Sequence, residues 1–386
     1  MSILVFNAGS SSLKFSLFTA DLQRLCHGQV DWQAACFEWR QGDAQLQSAA
    51  LDDDDRGRAV GRLLAALPQE DSPVVAVGHR VVHGGEAFNG SVRLDARAKE
   101  AIAALSPLAP LHNPEALAVI EAAEQALPHA AQVAVFDTAF YASLEPAAYL
   151  YPVPHDWYSK WGVRRYGFHG ISHAYCSRRA AELVPPSAAG LRLVSCHLGN
   201  GCSATAVRGG RAIATTMGFT PLEGLMMGTR SGSVDPGALL YVQRHHGLNA
   251  EELDGALNRR SGLLGLSDLS SDFREVDRAA RGGNEQAAVA LAVYAGRVKE
   301  AVGALAARMG GIDVLLFTGG VGENAADLRQ SVCADLQFMG IEMDPRRNAA
   351  AQADCDVASD ASPARILVLH TREEYAIAGE TRALLD

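Results

Sequence analysis

Three times along this chain a short, mostly apolar run passes directly into a glycine-rich polar turn. Ile3–Phe6 leads into Asn7–Ser12, Leu193–Leu198 into Gly199–Gly201, and Ile312–Phe317 into Thr318–Asn324. Runs of four to six such residues bounded by turn signals predict buried strands. A glycine turn after a buried strand has two readings. It is an ordinary tight turn, or it is a place where bare backbone N–H groups reach an anion that a side chain would keep away. Glycine makes up 37 of the 386 residues, above the usual ~7%. None of the three turns has the G-x-x-x-x-G-K-[ST] or G-x-G-x-x-G pattern, so neither a P-loop nor a dinucleotide fingerprint is present.

The remaining segments set these turns in an α/β chain. Leu13, Phe15 and Leu17 alternate with polar residues, which predicts a hairpin with the first strand. Further strands are expected at Val74–Val82, Val133–Phe136, Ser203–Val207, near Ala212, and at Arg365–Leu369. Helices are expected at Ala98–Leu105, Glu115–Leu127, Glu285–Met309 and Glu373–Leu385, with Pro114 near the first turn of the second. Leu51–Arg56 reads as a solvated turn and helix start, and Tyr149–His173 as irregular structure around a domain boundary. The sequence around Leu193–Ala212 repeats the opening pattern of strand, polar glycine turn and strand, which points faintly to two related halves. At 386 residues two domains are the prior.

Charge and cysteine content narrow the function classes. With 44 acids against 34 bases the formal net charge is −10, which argues against a broadly basic nucleic-acid surface. The seven cysteines are widely spaced with no C-x-x-C pair, which suggests neither a zinc site nor a disulfide framework. No apolar run approaches the ~18 residues of a membrane span, and the N-terminus lacks a signal-peptide pattern. A cytoplasmic protein with no membrane partner is the expectation. Lys14, Arg80 and Arg230 are candidate anion clamps or ordinary surface charges. Asp137, directly after an apolar strand, either aligns a metal or nucleophile or caps the following turn. His83, His112, His169, His173 and His197 lie near Gly, Pro or strand ends, where a histidine can stabilise a transferring phosphoryl group or serve structure alone.

Nine segments carry a resemblance that extends in order over nearly the whole chain. They are Asn7–Lys14, Gly78–Gly85, Ala109–Pro114, Phe136–Phe140, Tyr166–His173, Cys196–Gly201, Met217–Gly224, Met227–Arg230 and Gly320–Asn324. Together they resemble the acetate kinase family, which includes the related propionate kinases. The resemblance implies an α/β fold of two related actin-like ATPase domains around a central cleft, of the type seen in actin, heat-shock ATPases and sugar kinases. It places the first domain at residues 1–145, with the C-terminal helix 374–386 packing back onto it. The second, nucleotide-binding domain is placed at 146–373. It also implies a homodimer and a reversible transfer of the ATP γ-phosphoryl group to acetate, giving ADP and acetyl phosphate with Mg²⁺, for which Mn²⁺ substitutes.

The site residues follow from the same resemblance. Arg80 and Arg230 are expected to flank the phosphoryl group and the substrate carboxylate, and Asp137 to orient the carboxylate or meet the metal. His169 is expected to stabilise the phosphoryl in flight, supported by His112. Asn7 and Glu373 are linked to magnesium, with Ser10, Ser12 and Lys14 nearby. His197, Leu198, Gly199, Asn200 and Gly201, with Gly319, Gly320, Val321, Gly322, Glu323 and Asn324, are expected to contact phosphate and adenosine. Val82 and Pro221 line the acyl site, and a valine at position 82 accompanies acetate preference with propionate tolerated. Departures from the family pattern are modest: Cys202 stands where serine is frequent, Ser231 where cysteine is, and Arg372 where an asparagine often precedes the first glutamate. A sugar kinase of the same fold, or a nucleotide-binding scaffold, would lack a reason for the paired Arg80 and Arg230. Pyrophosphate is a further candidate donor.

Overall fold

The computed structural model describes residues 1–9, 12–32, 36–42, 44–50, 56–66, 73–110, 112–184 and 190–385. Ser10 and the turn expected at 51–55 lie outside them. The chain divides into two compact units. Unit 1 comprises Met1–Ala142, His169–Ser172 and Arg372–Asp386, and unit 2 comprises Ser143–Phe168 and His173–Thr371.

Unit 1 is built on an eight-stranded sheet. Its strands are β1 (Ser2–Ala8), β2 (Ser12–Thr19), β3 (Arg24–Asp31), β4 (Cys36–Gln41), β5 (Gln47–Ala50), β6 (Val74–Val81), β7 (Val92–Arg93) and β8 (Ala131–Phe136), in the order β5-β4-β3-β2-β1-β6-β8-β7. β1 and β2 form the expected antiparallel hairpin, with Asn7 opposite Lys14. β1, β6 and β8 run parallel. All seven residues of β1 are buried, so both of its faces are covered. Leu4, Phe6 and Ala8 pack with Leu13, Phe15, Val77, Val60, Leu63, Val119 and Ala123. The last four of these residues include two each from the helices Arg56–Ala66 and Asn113–Ala126. On the other face the helix Glu373–Ala383 lies across β1, β6 and β8. Its buried residues are Ala376, Ile377, Ala378 and Thr381, of which Ile377 and Thr381 lie against Gly78 of β6.

Unit 2 holds a six-stranded sheet of β9 (Arg192–Leu198), β10 (Cys202–Arg208), β11 (Arg211–Thr215), β12 (Val314–Thr318), β13 (Cys355–Asp356) and β14 (Arg365–Val368). Its order is β11-β10-β9-β12-β14-β13. The two sheets share one plan. In each, a three-stranded antiparallel meander (β3-β2-β1 or β11-β10-β9) is extended on the far side by two parallel strands (β6 and β8, or β12 and β14). The faint sequence repeat therefore corresponds to a duplicated topology. The helix Glu285–Met309 spans the range its alanine-rich pattern predicts. The Asn284 side chain caps it by accepting from Ala287 N–H, and Gly310 ends it in the left-handed region at φ 72°.

Two readings from the sequence need correction. Tyr149–His173 is not wholly irregular. It holds the helix His155–Trp161, ended by Gly162 at φ 64°, and the start of the helix Gly170–Leu183. A seven-residue helix is too short to display a clear period, and Arg164 stacks over the Tyr149 ring at 3.7 Å. The third glycine segment is likewise not a loop, because Gly319–Asn324 is itself a short helix that begins as β12 ends.

His79 on β6 is buried, bonds Gln132 Oε1 through Nε2 at 2.8 Å and stacks on Phe6. Burial lowers its pKa to about 4, against the hydrogen bond to Gln132, which acts in the opposite direction. The unfolded chain takes up this proton near pH 6.5, whereas the folded chain holds the ring neutral down to about pH 4. Its contribution is thus intact above pH 6.5 and is lost as the pH falls toward 4, amounting to about 2 kcal/mol by pH 5. Urea denaturation at pH 7.5 and pH 5 should show this loss, and His79→Gln should shrink it. An unchanged pH dependence in the variant would refute the assignment.

Candidate active site

Parallel register brings the unit 1 candidates together. Asn7 lies near the carboxyl end of β1, Arg80 near that of β6, and Asp137 directly after β8. In open α/β sheets such strand ends are where ligands bind. Arg80 donates through Nε at 3.1 Å and Nη2 at 2.6 Å to the same Asp137 oxygen, Oδ2. Its Nη1 donates to Asn7 Oδ1 at 3.2 Å. The Asn7 amide in turn donates to Glu373 Oε2 at 2.9 Å and Glu374 Oε1 at 3.3 Å. One hydrogen-bonded chain therefore joins Asp137, Arg80, Asn7 and the first turn of the helix Glu373–Ala383.

Asp137 is 1% exposed at its side chain and Arg80 15%. Burial lifts the Asp137 carboxyl above its ordinary range, Arg80 opposes that rise, and Glu373 adds to it. For Arg80, burial works against the charge, but Asp137, Glu373 and Glu374 more than offset it, so its pKa rises. The guanidinium is held charged. His169 takes the left-handed conformation at φ 56°, which is uncommon for any residue but glycine. The next residue must be glycine, because the Asp137 carbonyl occupies the place where a Cβ of Gly170 would lie. His169 is thereby seated against the Asp137 turn. Val82 is buried immediately after β6. His112 precedes the helix Asn113–Ala126 and accepts from Ala116 N–H. Lys14 and Ser12 lie on β2, where Lys14 is exposed opposite Asn7.

The unit 2 candidates assemble around the ends of β9 and β12. Gly199 N–H bonds the Gly201 carbonyl at 3.0 Å, closing the β9–β10 turn around Asn200. Cys202 donates its thiol to the Gly199 carbonyl at 3.3 Å, so sulfur makes the contact a serine hydroxyl would offer. Gly319 sits at φ 80°, and its missing Cβ allows it to lie against the Leu198 backbone. The two glycine segments are therefore adjacent. Glu323 Oε1 accepts from Gly319 N–H at 3.1 Å and from Thr371 N–H at 3.2 Å, and His370 Nδ1 lies 2.7 Å from its Oε2. Asn324 donates to the Gly320 carbonyl. Gly228 N–H donates to the Asn200 carbonyl at 3.0 Å, joining Met227–Arg230 to the same group. Arg230 Nη1 reaches the Pro221 carbonyl at 3.3 Å. His197 is half-buried on β9, its ring 6.2 Å from that of His173.

Sequence reasoning passed over two contributors. Glu374 shares the Asn7 amide with Glu373, and the Glu373-Glu374 doublet was the available signal. Arg329, 1% exposed, donates to the carbonyls of Gly322 and Glu323 at 2.9 and 2.8 Å and holds the end of the Gly319–Asn324 helix. A lone arginine in a helix carries no mark of such burial. Among the described residues no group of three or more His, Cys, Asp or Glu side chains gathers for a metal. The oxygen-bearing set of Asn7, Glu373 and Glu374 nonetheless suits magnesium, which uses one or two carboxylates beside substrate phosphates and water.

The duplicated sheet and its paired strand-end groups place the chain in the two-domain actin-like ATPase class, with which the close structural neighbours agree. The model of the Acetokinase family matches residues 2–379. An acetate kinase of Cyanothece sp. is 46% identical, over 100% of this chain and 99% of its own. The crystal structure of Porphyromonas gingivalis acetate kinase gives a TM-score of 0.93 at 40% identity and 100% coverage of both chains. A propionate kinase from Francisella tularensis gives 0.92 at 37% identity and 99% coverage of each. The chain belongs to the acetokinase family.

Removing one partner of a buried ion pair leaves the other charge uncompensated, at a cost of about 3–5 kcal/mol. Arg80→Met should lower the stability of unit 1 by that order, and adding Asp137→Asn should recover part of it. Chemical denaturation of the single and double variants measures both. Additive losses would show that the two side chains do not act as a pair.

Proposed function

We propose that the chain catalyses the reversible reaction of ATP with acetate to give ADP and acetyl phosphate. The observation that carries this is the end-to-end match to acetate kinases. An acetate oxygen attacks the γ-phosphorus, the bond from that phosphorus to the β–γ bridging oxygen breaks, and ADP leaves with the electron pair. The acceptor is already ionised at pH 7, so neither a general base nor a protein nucleophile is needed. The chemical problem is instead repulsion between a carboxylate and a triphosphate, which positioned cations relieve.

In this reading Arg80 receives the carboxylate and the phosphoryl group, held in orientation by Asp137. Arg230 acts on the same transferring group. His169, with His112 in support, donates to the equatorial oxygens of the phosphoryl in flight. Unit 2 binds the nucleotide: His197–Gly201 and Gly319–Asn324 offer backbone and side-chain donors to phosphate and adenosine. Ser10, Ser12 and Lys14 serve phosphate placement. Asn7 and Glu373, with Glu374 beside it, would hold magnesium, for which Mn²⁺ would substitute. When bound, the ion neutralises charge on the β- and γ-phosphates. The family resemblance supports a homodimer. Among the described residues of the structure no helix is long and apolar enough to cross a membrane.

Propionate is a second substrate, favoured by the 37% identity to the Francisella propionate kinase. The family resemblance assigns acyl-chain contact to Val82, which is buried, and separately to Pro221, and one methylene in an acyl pocket is worth about 1–3 kcal/mol. Val82→Ala should therefore raise kcat/KM for propionate relative to acetate. A ratio that does not move in a two-substrate steady-state comparison would remove Val82 from the pocket. Arg230→Ala should cut acetyl phosphate formation, trapped as the hydroxamate, by about 10²-fold or more while the folded fraction stays unchanged. Near wild-type kcat would reject a role for Arg230 in transfer.

A further inference from the structure

The stretch 216–223 in unit 2 is neither helix nor strand, yet it carries Pro221 and the carbonyl that Arg230 meets. Irregular backbone of this kind must find hydrogen-bond partners elsewhere, or it wanders. Here the side chains of Arg165 and Tyr151 supply several of them, and Glu223 joins the two. Arg165 Nη1 donates to the Thr216 and Met217 carbonyls at 2.8 and 2.9 Å, and its Nη2 donates to Glu223 Oε1 at 2.7 Å. One planar guanidinium thus ties both ends of the stretch. The Tyr151 hydroxyl donates to Glu223 Oε2 and accepts from Phe219 N–H at 2.9 Å, which fixes the middle. Tyr166 N–H adds a bond to the Gly218 carbonyl at 3.0 Å. Burial, with the Glu223 contact, pushes the Tyr151 phenol well up, so the hydroxyl keeps its proton and remains a donor. Pro221 lies between these anchors.

We propose that Tyr151, Arg165 and Glu223 are positioning residues for acyl-group selection, clamping the Thr216–Glu223 stretch so that Pro221 and Arg230 hold a fixed wall toward the short carboxylate. The inference rests on the roles given above to Pro221 and Arg230. The physical reason is that a pocket distinguishes one methylene only if its wall does not yield. A clamp on the backbone supplies that stiffness without touching substrate.

Tyr151→Phe keeps the ring and removes the hydroxyl, while Arg165→Lys keeps the charge and loses the fork. In the full chain each should lower kcat/KM for acetate by about tenfold and raise the propionate-to-acetate ratio, with the KM for ATP within twofold of wild type. A purely structural role would reduce the folded, active fraction and scale all turnover together, leaving the substrate ratio in place. The clamp is refuted if both variants keep the wild-type ratio, or if activity toward both acids falls in step with the folded fraction measured by circular dichroism. Arg230→Ala, assayed alongside, separates the two levels. If Arg230→Ala is disabled and the clamp variants keep their ratio, the clamp alone fails. If Arg230→Ala retains wild-type turnover, the underlying site assignment fails and the clamp falls with it.

Discussion

A carboxylate almost wholly withdrawn from water stays charged only beside a cation, and in unit 1 that requirement falls on Arg80 and Asp137. Their pairing spans the carboxyl ends of β6 and β8, and Arg80 extends it to Asn7 on β1. The pair therefore depends on the parallel register of three neighbouring strands, and a slip of one residue would turn Asn7 or Arg80 to the opposite face. The glutamates of the helix Glu373–Ala383 complete the arrangement from outside the sheet. Charge placement and sheet geometry are one constraint here, not two.

The two units share one sheet plan but end its strands in different residues. Unit 1 ends its central strands in charged or amide side chains that bond one another. Unit 2 ends the corresponding strands in glycines, so that Leu198 and Gly319 meet through bare backbone. There the short helix Gly319–Asn324 begins where β12 ends, beside the turn that closes β9.

Much of this was legible in the sequence because its signals are local. Apolar runs marked β1, β6, β8 and β9, and the alanine-rich period marked Glu285–Met309. Asn113–Ala126 was announced by its early proline. Less visible were features set by distant partners. Gly319–Asn324 looks like a loop because glycine is a poor helix former, and its helical turn is held by Glu323 at one end and buried Arg329 at the other. The outer strands β4 and β5 have few buried positions and so little pattern to read. Single residues such as Asp137 and Arg80 could be suspected from their places after strands. Their bond to one another joins residues 57 apart and had no counterpart in any local pattern. The roles of Tyr151, Arg165 and Glu223 were hidden for the same reason, since they converge from separate segments.

The bond from Asn7 to Glu373 links residues 366 positions apart. During synthesis, β1, β6 and β8 are made long before the helix that covers one of their faces. Unit 2 has nearly all of its sequence in the interval, so it can consolidate while unit 1 still exposes part of its sheet to the surroundings. A growing chain that stops short of residue 373 already contains the arginine and the aspartate but neither glutamate. Completion of this hydrogen-bonded group therefore waits until the helix Glu373–Ala383 has been made.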